Sequence, residues 1–279
     1  MSFSLVINQS NLVPNGLNTA FEYRFLNGNF KAENMEVCVT QATIPYSWFN
    51  ISASLNNNTI EYNFNGVGAG FPTTITIPDG FYTIDTLNLF LQQTFISNGQ
   101  YLINADGEYV YFVRFLENQT YYANQIVLTL VPSSLPAGWT QPSGFYGYPA
   151  VASTGSLSFP SNSPYAIIGV SAGTIINSDT QNVSFISTIT PVGSKVNAII
   201  IRSNFVSNNI VVPSDILDSL PIDASFGSNI NYTPSFPRYL PIADGTYGSF
   251  RIELFDEELD TIKARDGRSL FNLHIRKRS

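Results

Sequence analysis

A chain of 279 residues is long enough to bury a sizeable core without staples. Its single cysteine, Cys38, excludes an intrachain disulfide and any cysteine-cluster metal site. Only 12% of the residues are charged, against about 25% in an ordinary soluble domain, and the net charge of −7 argues against wrapping nucleic acid. The polar surface therefore rests on Asn, Ser, Thr and Gln, which suits strands, turns and faces that pack on neighbours. Residues 1–20 hold no Lys, Arg or long apolar core, so no secretion signal is expected. The sequons at Asn8, Asn50, Asn57, Asn118, Asn182 and Asn231 are then expected to stay unmodified. The uncharged stretch 118–178 is too rich in Pro, Gly and Ser to cross a membrane as a helix.

In chain order, Ser2–Ile7 reads as a strand or arm, and Pro14-Asn15-Gly16 as a turn. Phe21, Tyr23 and Phe25 alternate with Glu22 and Arg24, a half-buried strand. Asn27-Gly28-Asn29 turns the chain, and Met35–Ile44 is a strong strand stopped by Pro45. Cys38 reads as a buried small hydrophobe. Thr59–Phe64 is a strand, and Gly66–Gly70 reads as a hairpin tip. It is no phosphate loop, because Pro72 and a strand follow where a helix is needed. After the strand Thr74–Ile77 and the turn Pro78-Asp79-Gly80 comes the one convincing helix, about residues 83–96. Thr83 is its N-cap, Asp85 favours the positive end of its dipole, and Ile84, Leu87, Leu91 and Phe95 form its apolar stripe.

Strands follow at Tyr109–Phe115, after the turn Asp106-Gly107, and at Ile126–Val131. Residues 132–164 hold six prolines and read as a long irregular insertion. Its aromatic cluster, Trp139, Phe145, Tyr146 and Tyr148, is a candidate external contact for a receptor or sugar, the bland alternative being packing on the chain's own sheet. Strands are expected at Val183–Ile189 and Asn197–Ser203, and a Pro-rich, mostly irregular stretch at 212–241. Two alternating strands close the chain, around Phe250, Ile252, Leu254 and around Phe271, Leu273, Ile275. About eleven strands at irregular spacing with one helix fit an all-β fold, a β-sandwich or jelly roll with long loops, in one domain over 1–279.

Chemistry is sparse. The one histidine, His274, falls on the polar face of the last strand, so a Ser/His/Asp or Cys/His site has little to draw on. The acidic run Asp256–Asp260 lacks calcium-loop spacing. No enzyme, cofactor or metal is expected. Arg265, Arg268, Arg276, Lys277 and Arg278 form a basic end, a candidate contact to an acidic neighbour, whether another subunit or a genome. The alternative is that they and the acidic run neutralise each other across a hairpin.

Three stretches together carry a resemblance. They are Asn15–Ile51, with the run Glu36–Ile51 (EVCVTQATIPYSWFNI), then Ile75–Ile84 leading into Leu87-Asn88, and the end from Phe226-Gly227 through Ile230–Pro234, Phe250–Asp256 and Leu270–Arg276. The set resembles the penton-base or minor capsid proteins of large icosahedral double-stranded DNA viruses, their virophages and polinton-like elements. The resemblance implies a single jelly-roll β-sandwich, all-β with two apposed antiparallel sheets, and a homopentamer at the five-fold vertices of the virion, assembled in the host cytoplasm. Its neighbours would be trimeric major capsid proteins and other minor capsid proteins, and a vertex spike or fibre is a further candidate partner. The alternatives are a carbohydrate- or receptor-binding attachment module and a cement protein away from the vertex.

Overall fold

The computed structural model describes residues 2–26, 29–64, 72–178 and 180–278. Both Gly66–Gly70 and Asn27-Gly28 of the Asn27-Gly28-Asn29 turn lie outside the described residues. The chain divides into two compact units, Met1–Phe49 with Lys195–Ser279, and Asn50–Ser194. The second is inserted in the first, and is longer than the 132–164 insertion read from the sequence.

The first unit has eight main strands among its described residues: β1 (Ser2–Ile7), β2 (Ala20–Arg24), β3 (Met35–Pro45), β4 (Ala198–Ser203), β5 (Ile216–Pro221), β6 (Asn229–Tyr232), β7 (Ser249–Phe255) and β8 (Leu270–Lys277). They form two antiparallel sheets, ordered β1-β8-β3-β6 and β5-β4-β7-β2. Pairing is nested: β1 with β8, β2 with β7, β3 with β6, β4 with β5. A long hairpin rolled up on itself produces this order, which is the eight-strand jelly roll. Alternation supplies the core. Leu273 and Ile275 point inward and are fully buried, while His274 and Arg276 point outward. Phe21 of one sheet meets Phe271 of the other at 5.4 Å, and Phe205 stacks on Phe250 at 4.1 Å. The inserted unit falls between β3 and β4.

In the inserted unit, Thr174–Ile176, Ser156–Phe159, Thr59–Asn63 and Thr73–Thr76 make one antiparallel sheet in that order, and Val183–Ile186, Ala123–Leu128 and Val113–Asn118 a second. The expected helix is α1, Ile84–Ser97. The Thr83 hydroxyl accepts from the Thr86 amide at 3.2 Å, and the Thr86 hydroxyl accepts from the Thr83 amide at 2.8 Å. Ile84, Leu87, Leu91 and Phe95 are buried, while Asp85 and Gln93 are exposed and Asn88 and Gln92 lie between. Asn88 is partly withdrawn because its side-chain oxygen accepts from the Phe115 amide at 2.9 Å, fastening α1 to a strand.

Two irregular readings are corrected. Residues 132–164 contain Ser153–Thr154 and Ser156–Phe159, and residues 212–241 contain β5, β6 and Leu240–Pro241. Leu157 and Phe159 are buried, but serines between them give too little contrast for so short an alternation. In β5 the buried Asp218 between Leu217 and Leu220 breaks the pattern. The short pair Phe30–Ala32 with Gly245–Tyr247 and the one-turn helix Tyr165–Ile168 were also unread. Among the described residues no helix is long and apolar enough to cross a membrane.

Candidate functional site

In the basic end, Arg276 and Lys277 belong to β8 of the first sheet, Arg265 and Arg268 to the segment before it, and Arg278 follows it. Arg276 stands opposite Glu36 in register, and its Nε donates to Glu36 Oε1 at 2.6 Å. Its guanidinium carbon sits 3.5 Å from the centre of the Tyr239 ring. The bond from Glu36 raises the Arg276 pKa above its already high ordinary value. Arg268 forks onto Asp266, with Nε at 2.9 and 3.0 Å from the two carboxylate oxygens. Arg265 lies over the Phe49 ring at 5.1 Å. Lys277 and Arg278 are exposed, with no carboxylate in ion-pair range among the described residues. The structure therefore sorts the five bases into three engaged within the unit and two presented to solvent.

The acidic run does not neutralise them. Lys195 pairs with Asp260 at 2.7 Å and Glu258 at 3.2 Å. Asp256, buried, accepts from the Glu258 and Asp260 amides at 3.0 and 2.7 Å, holding its own turn. Glu257 accepts from the Asn197 amide and side chain and from the Ala198 amide, at the start of β4. Burial pushes its carboxyl up, but these N–H donors outweigh that and the net pKa is lowered from about 4.5. Its stabilisation is complete above that ordinary value and is lost as pH falls through the lower folded value. Glu257→Gln is expected to lower the unfolding midpoint at pH 7 and to flatten its fall below pH ~4.5. Melting curves from pH 7 to 3 check this.

His274 is held at both nitrogens, Nε2 at 2.7 Å from Ser2 Oγ and Nδ1 at 2.8 Å from the Tyr239 hydroxyl. A phenol thus stands where a triad would place its carboxylate. Cys38 is buried as expected, and burial pushes its thiol up, away from thiolate character. The arrangement clips β1, β3 and β8 to the Tyr239 segment, and it does not build an activated nucleophile. Among the described residues no three His, Cys, Asp or Glu side chains gather as for a metal ion.

The aromatic loop is mostly docked. Phe145 and Tyr148 meet at 4.7 Å, and with Trp139 they pack half-buried on the core of the inserted unit. Tyr146 is the exposed member, its ring 5.5 Å from Phe64 and its amide donating to the Gly99 carbonyl at 3.0 Å. Gly99 has φ +64° and its α-carbon closely faces the Gly144 carbonyl, so only glycine fits.

Sequence reasoning missed the role of Asn50. Its amide donates to the Tyr82 and Gly193 carbonyls at 2.8 and 2.7 Å, and its oxygen accepts from the Tyr82 amide at 2.8 Å. Ile51 also bridges to Gly80. In the first unit, Gly227 donates to the Tyr46 carbonyl at 2.9 Å.

No family model matches the chain, and no curated protein matches it. Among solved structures, the chain is similar to the crystal structure of the mavirus penton protein, with TM-score 0.47 and 9% identity, covering 100% of this chain and 99% of that one. It is also similar to a chain in the cryo-EM structure of the Sputnik virophage, with TM-score 0.40 and 13% identity, covering 99% and 98%.

Proposed function

We propose that this chain is a structural virion protein, a penton subunit of an icosahedral double-stranded DNA virus capsid. The carrying observation is the nested eight-strand roll, two antiparallel sheets closed by the pairing of β1 with β8 through β4 with β5. Jelly rolls serve capsids, lectins and cupins, and fold alone does not choose among them. Here the sequence offers one histidine, and it is spent on a hydrogen-bonded clip between strands. Weakly charged faces pack against neighbours without desolvating many ions.

The vertex position and the number five rest on the sequence resemblance. Its stretches correspond to β3, β6, β7 and β8 and to the turn that starts α1. A ring of identical chains repeats one heterologous contact until it closes. In this reading the whole chain, 1–279, acts as one capsid subunit, with trimeric major capsid proteins, other minor capsid proteins and a spike or fibre as neighbours. Assembly is in the host cytoplasm.

The test is the particle. Density for this chain at five-fold positions is expected, while density at two-fold or three-fold positions alone leaves a cement protein instead. The double change Lys277→Gln with Arg278→Gln is expected to reduce incorporation several-fold with no shift in the unfolding midpoint. Arg276→Gln is expected to lower the midpoint itself, because its partners Glu36 and Tyr239 lie within the same unit. Normal incorporation of the double variant removes the contact role of the basic end.

A further inference from the structure

The inserted unit carries a second aromatic feature, away from the 139–148 loop. The strands Val113–Asn118 and Ala123–Leu128 are joined by the turn Gln119–Tyr121, followed by Tyr122. Tyr121 and Tyr122 are 68% and 78% exposed. Tyr122 sits at φ 50°, ψ 49°, the left-handed region where a turn ordinarily takes Gly or Asn. A bulky residue held there costs free energy, and such strain gathers at functional positions.

Beside it lies a cleft of about 220 Å³ whose lining includes Tyr122, Glu117, Asn118, Gln119, Asn124 and Pro191. Its volume is below the ~300–1,000 Å³ of sites for drug-sized ligands, which leaves room for one sugar ring. The floor is fixed. Asn124 is 6% exposed, its amide donates to the Ile167 and Ile168 carbonyls at 3.0 and 3.2 Å, and its backbone amide donates to Ser187 Oγ at 3.0 Å. The wall that includes Pro191 is tied down by Ile189 N to Gly169 O at 3.1 Å and Val192 N to Ala166 O at 2.9 Å. A rigid site loses little ordering entropy on binding.

We propose that this hairpin and cleft bind a neutral glycan. A tyrosine face presents negative π density to the weakly positive C–H face of a pyranose. The carboxylate of Glu117 and the amides of Asn118 and Gln119 are groups that hydroxyls pair with, and their long internal bonds, Gln119 Nε2 to Glu117 Oε2 at 3.5 Å and Asn118 Nδ2 to Gln125 Oε1 at 3.3 Å, leave further capacity. Charge sets the class: residues 50–194 carry one base, Arg114, against Glu61, Asp79, Asp85, Asp106, Glu108, Glu117 and Asp179. An acidic sugar or a sulfated chain meets repulsion there. The site goes beyond the capsid role and does not depend on it.

The test uses the full chain with chitotetraose, maltotetraose and a lactose-terminated oligosaccharide as neutral probes, and 3′-sialyllactose and a heparin tetrasaccharide as anionic ones, read by saturation-transfer NMR and calorimetry. At least one neutral probe is expected to bind. Tyr122→Gly and Tyr122→Asn, both suited to the left-handed backbone, should weaken it at least tenfold with an unchanged or raised unfolding midpoint. Tyr146→Ala, in the other aromatic loop, should leave it unchanged. Binding of no neutral probe, equal binding by the Tyr122 variants, or binding of the anionic probes alone overturns the proposal. Loss of self-association in Tyr122→Gly without any glycan binding also overturns it, and assigns the hairpin to a second copy of the chain.

Discussion

Leu87→Ala and Leu91→Ala should each destabilise the protein by ~2–5 kcal/mol. Both side chains are 0% exposed and lie one turn apart on the buried stripe of α1. Truncation removes three carbons from a packed interior and leaves a cavity, because a helix capped at Thr83 and fastened by Asn88 cannot slide to fill it. Against a total stability of ~5–15 kcal/mol such a loss is large. The two changes should not add, since residues at i and i+4 share neighbours. Urea unfolding of each single variant and the double gives both quantities. Unmoved midpoints would mean that the stripe does not face the core.

Removing Arg238 should be the other large effect. Asp218 of β5 is 4% exposed at its side chain, and Arg238 Nη2 donates to it at 2.5 Å while Tyr232 of β6 donates its hydroxyl at 3.1 Å. These strands belong to different sheets of the roll, so the group ties the two sheets together. Arg238→Ala leaves a withdrawn carboxylate with, among the described residues, the Tyr232 hydroxyl and the Ser219 amide. Arg238 is itself 63% exposed, so water can enter the gap and the cost stays below that of a fully buried pair. About 1.5–3 kcal/mol is expected, the range for a hydrogen bond to a charged group. Tyr232→Phe should cost less, about 1 kcal/mol. A double-mutant cycle of Arg238→Ala with Asp218→Asn separates the pair from its surroundings. Strict additivity in that cycle would show that the contact contributes nothing of its own.

What the sequence determined by itself is local. Period and caps are properties of neighbouring residues, so α1, its Thr83 cap and its four buried positions were legible. The alternating faces of β3, β7 and β8 were legible for the same reason, as was the all-β class. Short strands with serine or a paired aspartate at alternate positions were not, because their contrast appears only once a partner strand covers one face. Tertiary structure alone decided the nested pairing of β1 with β8 through β4 with β5, since hydrogen bonds between residues up to 274 positions apart leave no mark on either strand. It also decided the site. Arg276 and Lys277 are adjacent bases in the sequence, and only the strand opposite, with Glu36, makes one structural and leaves the other exposed. The same holds for the aromatics: Phe145 and Tyr148 are covered because the inserted unit folds a sheet beneath them. Tyr121 and Tyr122 stand in water because they cap a hairpin that nothing among the described residues of their own unit reaches over.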